Sequence, residues 1–182
     1  NEGDELIDVQ IAGGNEEVIL ASAGGYANRF PIDEVRPMGR PAAGVAGMRV
    51  RTGDEVVSMA LSTNPEAELL TVLSSGYGKR TTTSEYRKTR RGSKGVRTTS
   101  AKYAKGRVVA VKVVQPEEHL LVTTKAGVVI RCAVADISVK GRAARGVRLQ
   151  RLGDGDEVVA VARVIEEEEQ DRALNAEPPV EP

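Results

Sequence analysis

Apolar residues along this chain fall in short runs of four to eight, rich in Val, Ile and Leu and bounded by glycines and polar turns, with no sustained helical spacing. Such runs predict β-strands. Residues 18–21 read as a buried strand, 23–25 as a tight turn and 26–31 as the returning strand. A loop containing Arg36, Pro37, Gly39, Arg40 and Pro41 then leads to a third strand near 45–50 and a fourth at 55–61. The same order recurs at 69–73, 78–83, 96–99 and 108–114, and again at 120–124, 128–134, 147–151 and 158–164.

The recurrence has a fixed period. Gly25, Gly76 and Gly127 are 51 residues apart, as are Val18, Leu69 and Leu120, and Arg29, Arg80 and Arg131. Glu34, Glu85 and Asp136 keep the same register, followed by Arg40, Arg91 and Arg142 and by Gly44, Gly95 and Gly146. A repeat of this length predicts radially arranged or stacked units, each unable to bury a core alone. Four strands per unit is the blade of a propeller-like fold. The chain therefore divides into a blade at 16–66, a blade with a basic loop at 67–117 and a blade at 118–164. Residues 3–11 match 53–61, so 1–15 are expected to supply the last strand of a preceding, truncated blade. The acid- and proline-rich segment 165–182 is expected to be a disordered tail.

Charge changes the picture. The whole chain is formally neutral, yet residues 77–107 hold eleven Lys and Arg against one acid, Glu85. Basic groups set among Gly, Ser and Thr present cations and main-chain N–H groups to phosphates, so this stretch is expected to meet a polyanion. One cysteine, Cys132, and one histidine, His119, leave no zinc-type ligand set, and no apolar run approaches bilayer-spanning length. Aromatics make up 3% of the chain, too few for the stacking platforms that bind single strands.

Several motifs in one order carry a resemblance: Ala23 to Arg29 (A-x-G-Y-x-x-R), Gly76 to Thr81 (G-Y-G-K-R-T), Gly44 to Val50 (G-V-x-G-M-R-V) and Gly141 to Val147 (G-R-A-A-R-G-V). They resemble the C-terminal domain of the bacterial DNA gyrase A protein, from about Gly3 to Val164. The resemblance implies an all-β pinwheel, a propeller variant with strands exchanged between neighbours, of which this chain holds about three four-stranded blades of six. It also implies duplex DNA wrapped around a basic outer rim, supporting ATP-dependent negative supercoiling by a parent isomerase, a heterotetramer built from the gyrase A and gyrase B proteins. ATP, magnesium and the DNA-cleaving tyrosine belong to other parts of that enzyme, so no cofactor and no catalysis are expected here; the implied location is the bacterial cytoplasm, at the nucleoid. Residues 89–95 resemble the family's first-blade box, with Thr89 for glutamine and Ser93 for glycine, and are expected to make phosphate contacts without the box's special role.

The residues expected to touch DNA are Arg36, Arg40, Lys79, Arg80, Arg87, Lys88, Arg90, Arg91, Lys94, Arg97, Lys140, Arg142 and Arg145. For Arg29, Arg80 and Arg131 a structural role, pairing with Glu34, Glu85 or Asp136, is an equal expectation. Recognition should run through backbone and bendability with little sequence preference. Two rival readings stand beside this one: the equivalent domain of topoisomerase IV, and a propeller that binds protein. Open blade edges are expected to invite self-association, and the tail's acids are expected to compete with DNA for the basic surface.

Overall fold

The computed structural model describes residues 3–100 and 106–164; the acidic tail and Tyr103 lie outside the described residues. Eleven strands form three antiparallel sheets among the described residues. The strands are β1 (Glu17–Ser22), β2 (Tyr26–Pro31), β3 (Val56–Ser62), β4 (Glu68–Leu73), β5 (Tyr77–Thr82), β6 (Val96–Arg97), β7 (Val108–Val114), β8 (His119–Thr124), β9 (Val129–Ala133), β10 (Val147–Arg148) and β11 (Val158–Val164). A single 3-10 turn follows β2, β5 and β9. The hairpin and last strand of every repeat lie where the apolar runs place them, and the all-β expectation holds.

Strand order shows that a repeat is not a sheet. The orders are β3-β1-β2-β6, β10-β5-β4-β7 and β11-β8-β9. The third strand of each later repeat leaves its own unit and pairs with the hairpin of the unit before, Tyr26 opposite Arg97 and Tyr77 opposite Arg148. Glycine permits the approach: a Cβ at Gly95 would lie 2.2 Å from the Ala27 carbonyl oxygen, and one at Gly146 2.4 Å from that of Gly78. No side chain fits in such a gap.

Two expected strands are absent for the same reason. Residues 45–50, the first repeat's counterpart of β6 and β10, form no strand, and a Cβ at Gly44 meets nothing within 4 Å. Residues 4–11 also form no strand, with Leu6, Ile7, Val9 and Ile11 exposed. Their counterparts pair with a hairpin, and no hairpin precedes residue 17 among the described residues. An unpaired extended segment gains no ladder hydrogen bonds.

The core lies between sheets. Ile19, Ala21 and Ala60 from the first sheet pack with Leu69, Leu73, Tyr86 and Val111 from the second unit. Leu70, Val72 and Val114 of the second sheet pack with Leu120, Val122 and Val161 of the third. Tyr86, in the column of Val35 and Ile137, is fully buried, and its hydroxyl lies 2.6 Å from Thr98 Oγ1. Burial raises its phenol above the ordinary range.

Candidate nucleic-acid interface

The basic residues expected at the interface separate into inward and outward groups. Lys79 and Arg80, successive residues of β5, are both buried, with 2% and 7% of their surface exposed. Lys79 Nζ donates to the carbonyl oxygens of Gly141 at 2.8 Å, Arg142, and Ala144 at 3.2 Å. Burial pushes this ammonium down to about 8, against the pull of Glu85. Arg80 pairs with Glu68 at 2.5 Å and donates to the Ile137 carbonyl at 2.6 Å. Neither side chain is placed to meet a phosphate: a strand position that looks inward needs its cation satisfied, and main-chain carbonyls of the next unit do this.

Arg29 and Arg80 of the recurring column are buried and structural, with partners other than those expected. Arg29 pairs with Glu17 and donates to the carbonyls of Thr83 at 2.7 Å and Tyr86 at 3.1 Å. Arg131 Nη2 lies 3.1 Å from His119 Nδ1, the position equivalent to Glu17 and Glu68. Two of the expected acids bond elsewhere. Glu34 Oε2 accepts from the main-chain N–H of Arg91 at 2.7 Å, and Glu85 Oε2 from that of Arg142 at 2.9 Å, each holding the following unit's loop.

Within those loops the recurring arginines are half-buried staples. Arg91 Nη1 donates to the Ala46 carbonyl at 2.6 Å and Arg142 Nη1 to that of Arg97 at 2.8 Å. Lys88 is exposed but paired with Glu17 at 3.0 Å, and Lys140 is half-buried, its main-chain N–H donating to the Arg80 carbonyl at 2.8 Å. Arg36, Arg40, Arg87, Arg90, Lys94, Arg97 and Arg145 are exposed, and no carboxylate among the described residues pairs with any of them.

Strand exchange also builds clusters that sequence reading missed. Tyr26 lies between Arg51 and Arg97, whose guanidinium carbons are 4.2 Å and 4.8 Å from the ring centroid. One repeat on, Arg145 and Arg148 lie 5.1 Å and 5.6 Å from the ring of Tyr77, and each donates to its hydroxyl oxygen at 3.1 Å. The bond from Arg148, then that from Arg145, lowers the Tyr77 phenol below its ordinary range. Two guanidiniums converge on each ring without a described acid between them, which leaves N–H donors for an outside anion. Tyr26 and Tyr77 share a column, as do Arg97 and Arg148, and that periodicity was the available signal.

Residues 16–63, 67–115 and 118–165 each match the family described as DNA gyrase C-terminal domain, beta-propeller. The chain belongs to that family. Among relatives, the DNA gyrase A protein of Staphylococcus epidermidis is 47% identical over 169 residues, 92% of this chain and 19% of that protein. Its counterpart in Staphylococcus aureus is 46% identical over the same shares. The chain thus spans about one-fifth of the length of these relatives. A solved C-terminal domain of DNA topoisomerase IV superposes with a TM-score of 0.84 at 28% identity, covering 92% of this chain and 53% of that one. A solved DNA gyrase A C-terminal domain gives 0.75 at 32% identity, covering 83% and 51%. This gyrase-type domain contains, among its described residues, no helix long and apolar enough to cross a membrane.

Proposed function

We propose that this domain binds duplex DNA through its phosphates, bends it around a basic rim, and in that way supports ATP-dependent negative supercoiling by a parent DNA gyrase. The observation that carries the reading is the set of exposed cations without an acid partner: Arg36, Arg40, Arg87, Arg90, Lys94, Arg97 and Arg145, joined by Arg51 and Arg148 at the tyrosines. Held on successive units of a gyrase-type fold, they supply repeated phosphate contacts, and such contacts offset the roughly 1–6 kcal/mol needed to bend a 20–30 bp site. With no aromatic platform and no helix offered to a groove among the described residues, sequence preference should be small.

Gyrase is favoured over topoisomerase IV as the parent because the curated relatives at 47% and 46% identity are gyrase A proteins. In this reading the partners are duplex DNA, the rest of the gyrase A protein and the gyrase B protein, in the bacterial cytoplasm at the nucleoid. Nucleotide, magnesium and strand-cleavage chemistry reside in those other parts. The open side of β9, where Val129 is 55% exposed, is the edge through which copies of this fragment would associate.

Affinity for a linear duplex of roughly 40 bp, followed against salt beside a bending assay, tests the proposal. A log–log slope of about −0.9 per neutralised phosphate, with bending, is expected. Arg145→Ala and Arg148→Ala should each reduce the slope by about 1. Absence of binding, or a flat slope, overturns it.

A further inference from the structure

Two buried side chains on the hairpins reach across to the basic loops of the following unit. Asn28, on β2, is fully buried; its Nδ2 donates to the carbonyls of Gly47 at 3.0 Å and Arg90 at 3.3 Å, and its Oδ1 accepts from Thr89 Oγ1 at 2.5 Å. Lys79, on β5, occupies the same place one repeat later, with its three donors on Gly141, Arg142 and Ala144. Arg90 and Gly141 are themselves one repeat apart. The same joint is therefore made twice, once by a neutral amide and once by an ammonium. In the third unit Ile130 holds this position and has no side-chain donor.

The loops so held are otherwise tied to the hairpins by few main-chain contacts. Residues 88 and 139 make one isolated bridge each, to Arg29 and Arg80. Thr89 donates its N–H to the Arg29 carbonyl and Lys140 to that of Arg80, both at 2.8 Å. Beyond those points the chain runs through Arg90 and Lys94 in one loop and Arg142 and Arg145 in the other. A buried lysine bonded only to carbonyls is costly unless those bonds serve the structure. What they serve is the conformation of the neighbouring loop.

We propose that Asn28 and Lys79 are positioning residues that act across the boundary between units, each fixing the phosphate-facing loop of the next unit without touching DNA. The inference rests on the DNA-binding reading for its functional consequence, but the joint itself is read without DNA. By its charge Lys79 looks like a phosphate contact; its burial turns that cation into a brace. An asparagine does the same work one repeat earlier, so the positive charge is dispensable and the donor is not.

Three proteins separate the possibilities: wild type, Lys79→Asn and Lys79→Met, compared by amide hydrogen exchange of the 141–145 loop without DNA and by duplex affinity across a salt series. Lys79→Met should speed exchange in that loop while β4 and β8 stay protected, and weaken binding by roughly three- to tenfold, the cost of ordering one or two side chains on association. Lys79→Asn should restore slow exchange and near-wild-type affinity with an unchanged salt slope. A slope reduced by about 1 in Lys79→Asn would make Lys79 a direct phosphate contact and overturn the proposal. Unchanged loop exchange in Lys79→Met would also overturn it. If Lys79→Met fails to fold, Asn28→Ala carries the test at the other joint, where exchange in residues 89–93 should quicken and unchanged exchange would refute the idea. Should the wild type show no salt-dependent DNA binding, the functional reading fails, while the exchange data still decide whether the joint holds the loop.

Discussion

The second and third sheets are built on equivalent hairpins and end differently. The hairpin of β4 and β5 receives β10 from the next repeat and is flanked on both sides, whereas among the described residues the hairpin of β8 and β9 is flanked by β11 alone. On β5 the residues from Gly78 to Thr81 are all buried; on β9 the burial is broken and Val129 stands exposed. Of the two buried cations of β5, Lys79 has Ile130 as its counterpart on β9. In the first two units the hairpin is joined by the third strand of the unit that follows, and residues of that following unit meet Asn28, Lys79, Tyr26 and Tyr77. The third unit carries Ile130 and Val128 at the brace and tyrosine positions.

The largest way to break this arrangement is at the glycine that admits the donated strand. Gly95 has φ +72° and its added Cβ would meet the Ala27 carbonyl, so Gly95→Ala should cost about 3 kcal/mol or more, from overpacking plus the left-handed backbone. Gly44 has a similar φ of +80° with open space around it, and Gly44→Ala should cost only about 1–2 kcal/mol. Urea denaturation of the two variants measures the difference; equal losses would mean that close approach contributes nothing.

A second, smaller effect sharpens the contrast between β5 and β9. Burial lowers Lys79 to about 8 from an ordinary 10.5, so between those values the unfolded chain holds a proton that the folded chain has released. Stability of the wild type should then rise with pH across that window, relative to Lys79→Asn, by at most about 1.4 kcal/mol per pH unit. Parallel curves for the two proteins would show that the ammonium is solvated. The smallest effect is at the open edge. Val129→Lys should change folding stability by no more than about 0.5 kcal/mol yet reduce self-association, read by sedimentation equilibrium or light scattering over a concentration series.

Hairpins and last strands are legible in the sequence because their apolar runs and turn glycines are local signals, and 51-residue columns align them without any contact information. The third strands are not placed correctly by that reading. Residues 45–50 and 96–99 hold the same place in the repeat, but among the described residues only the second has the hairpin of a preceding unit to join, so one is coil and the other contains β6. The basic residues divide in the same way. Arg90 and Lys94 are exposed loop cations, as their setting suggests, while Lys79 and Arg80, two and three steps into a hairpin strand, carry the same charge and are buried. Charge alone does not reveal which way a strand position faces. Arg51 and Arg148 escape a sequence reading because the rings they lie over belong to hairpins far from them in the chain.

From the sequence by itself come the all-β class, the three repeats, the concentration of positive charge and the resemblance to the gyrase family. All depend on composition and local periodicity, which survive in a one-dimensional record. The tertiary structure alone decided which sheet each third strand enters, which cations are braces and which are free of acids, and where arginines gather on tyrosine. Most of those outcomes depend on contacts between residues 45 to 71 positions apart, and the geometry of such contacts exists only once one unit has closed against the next.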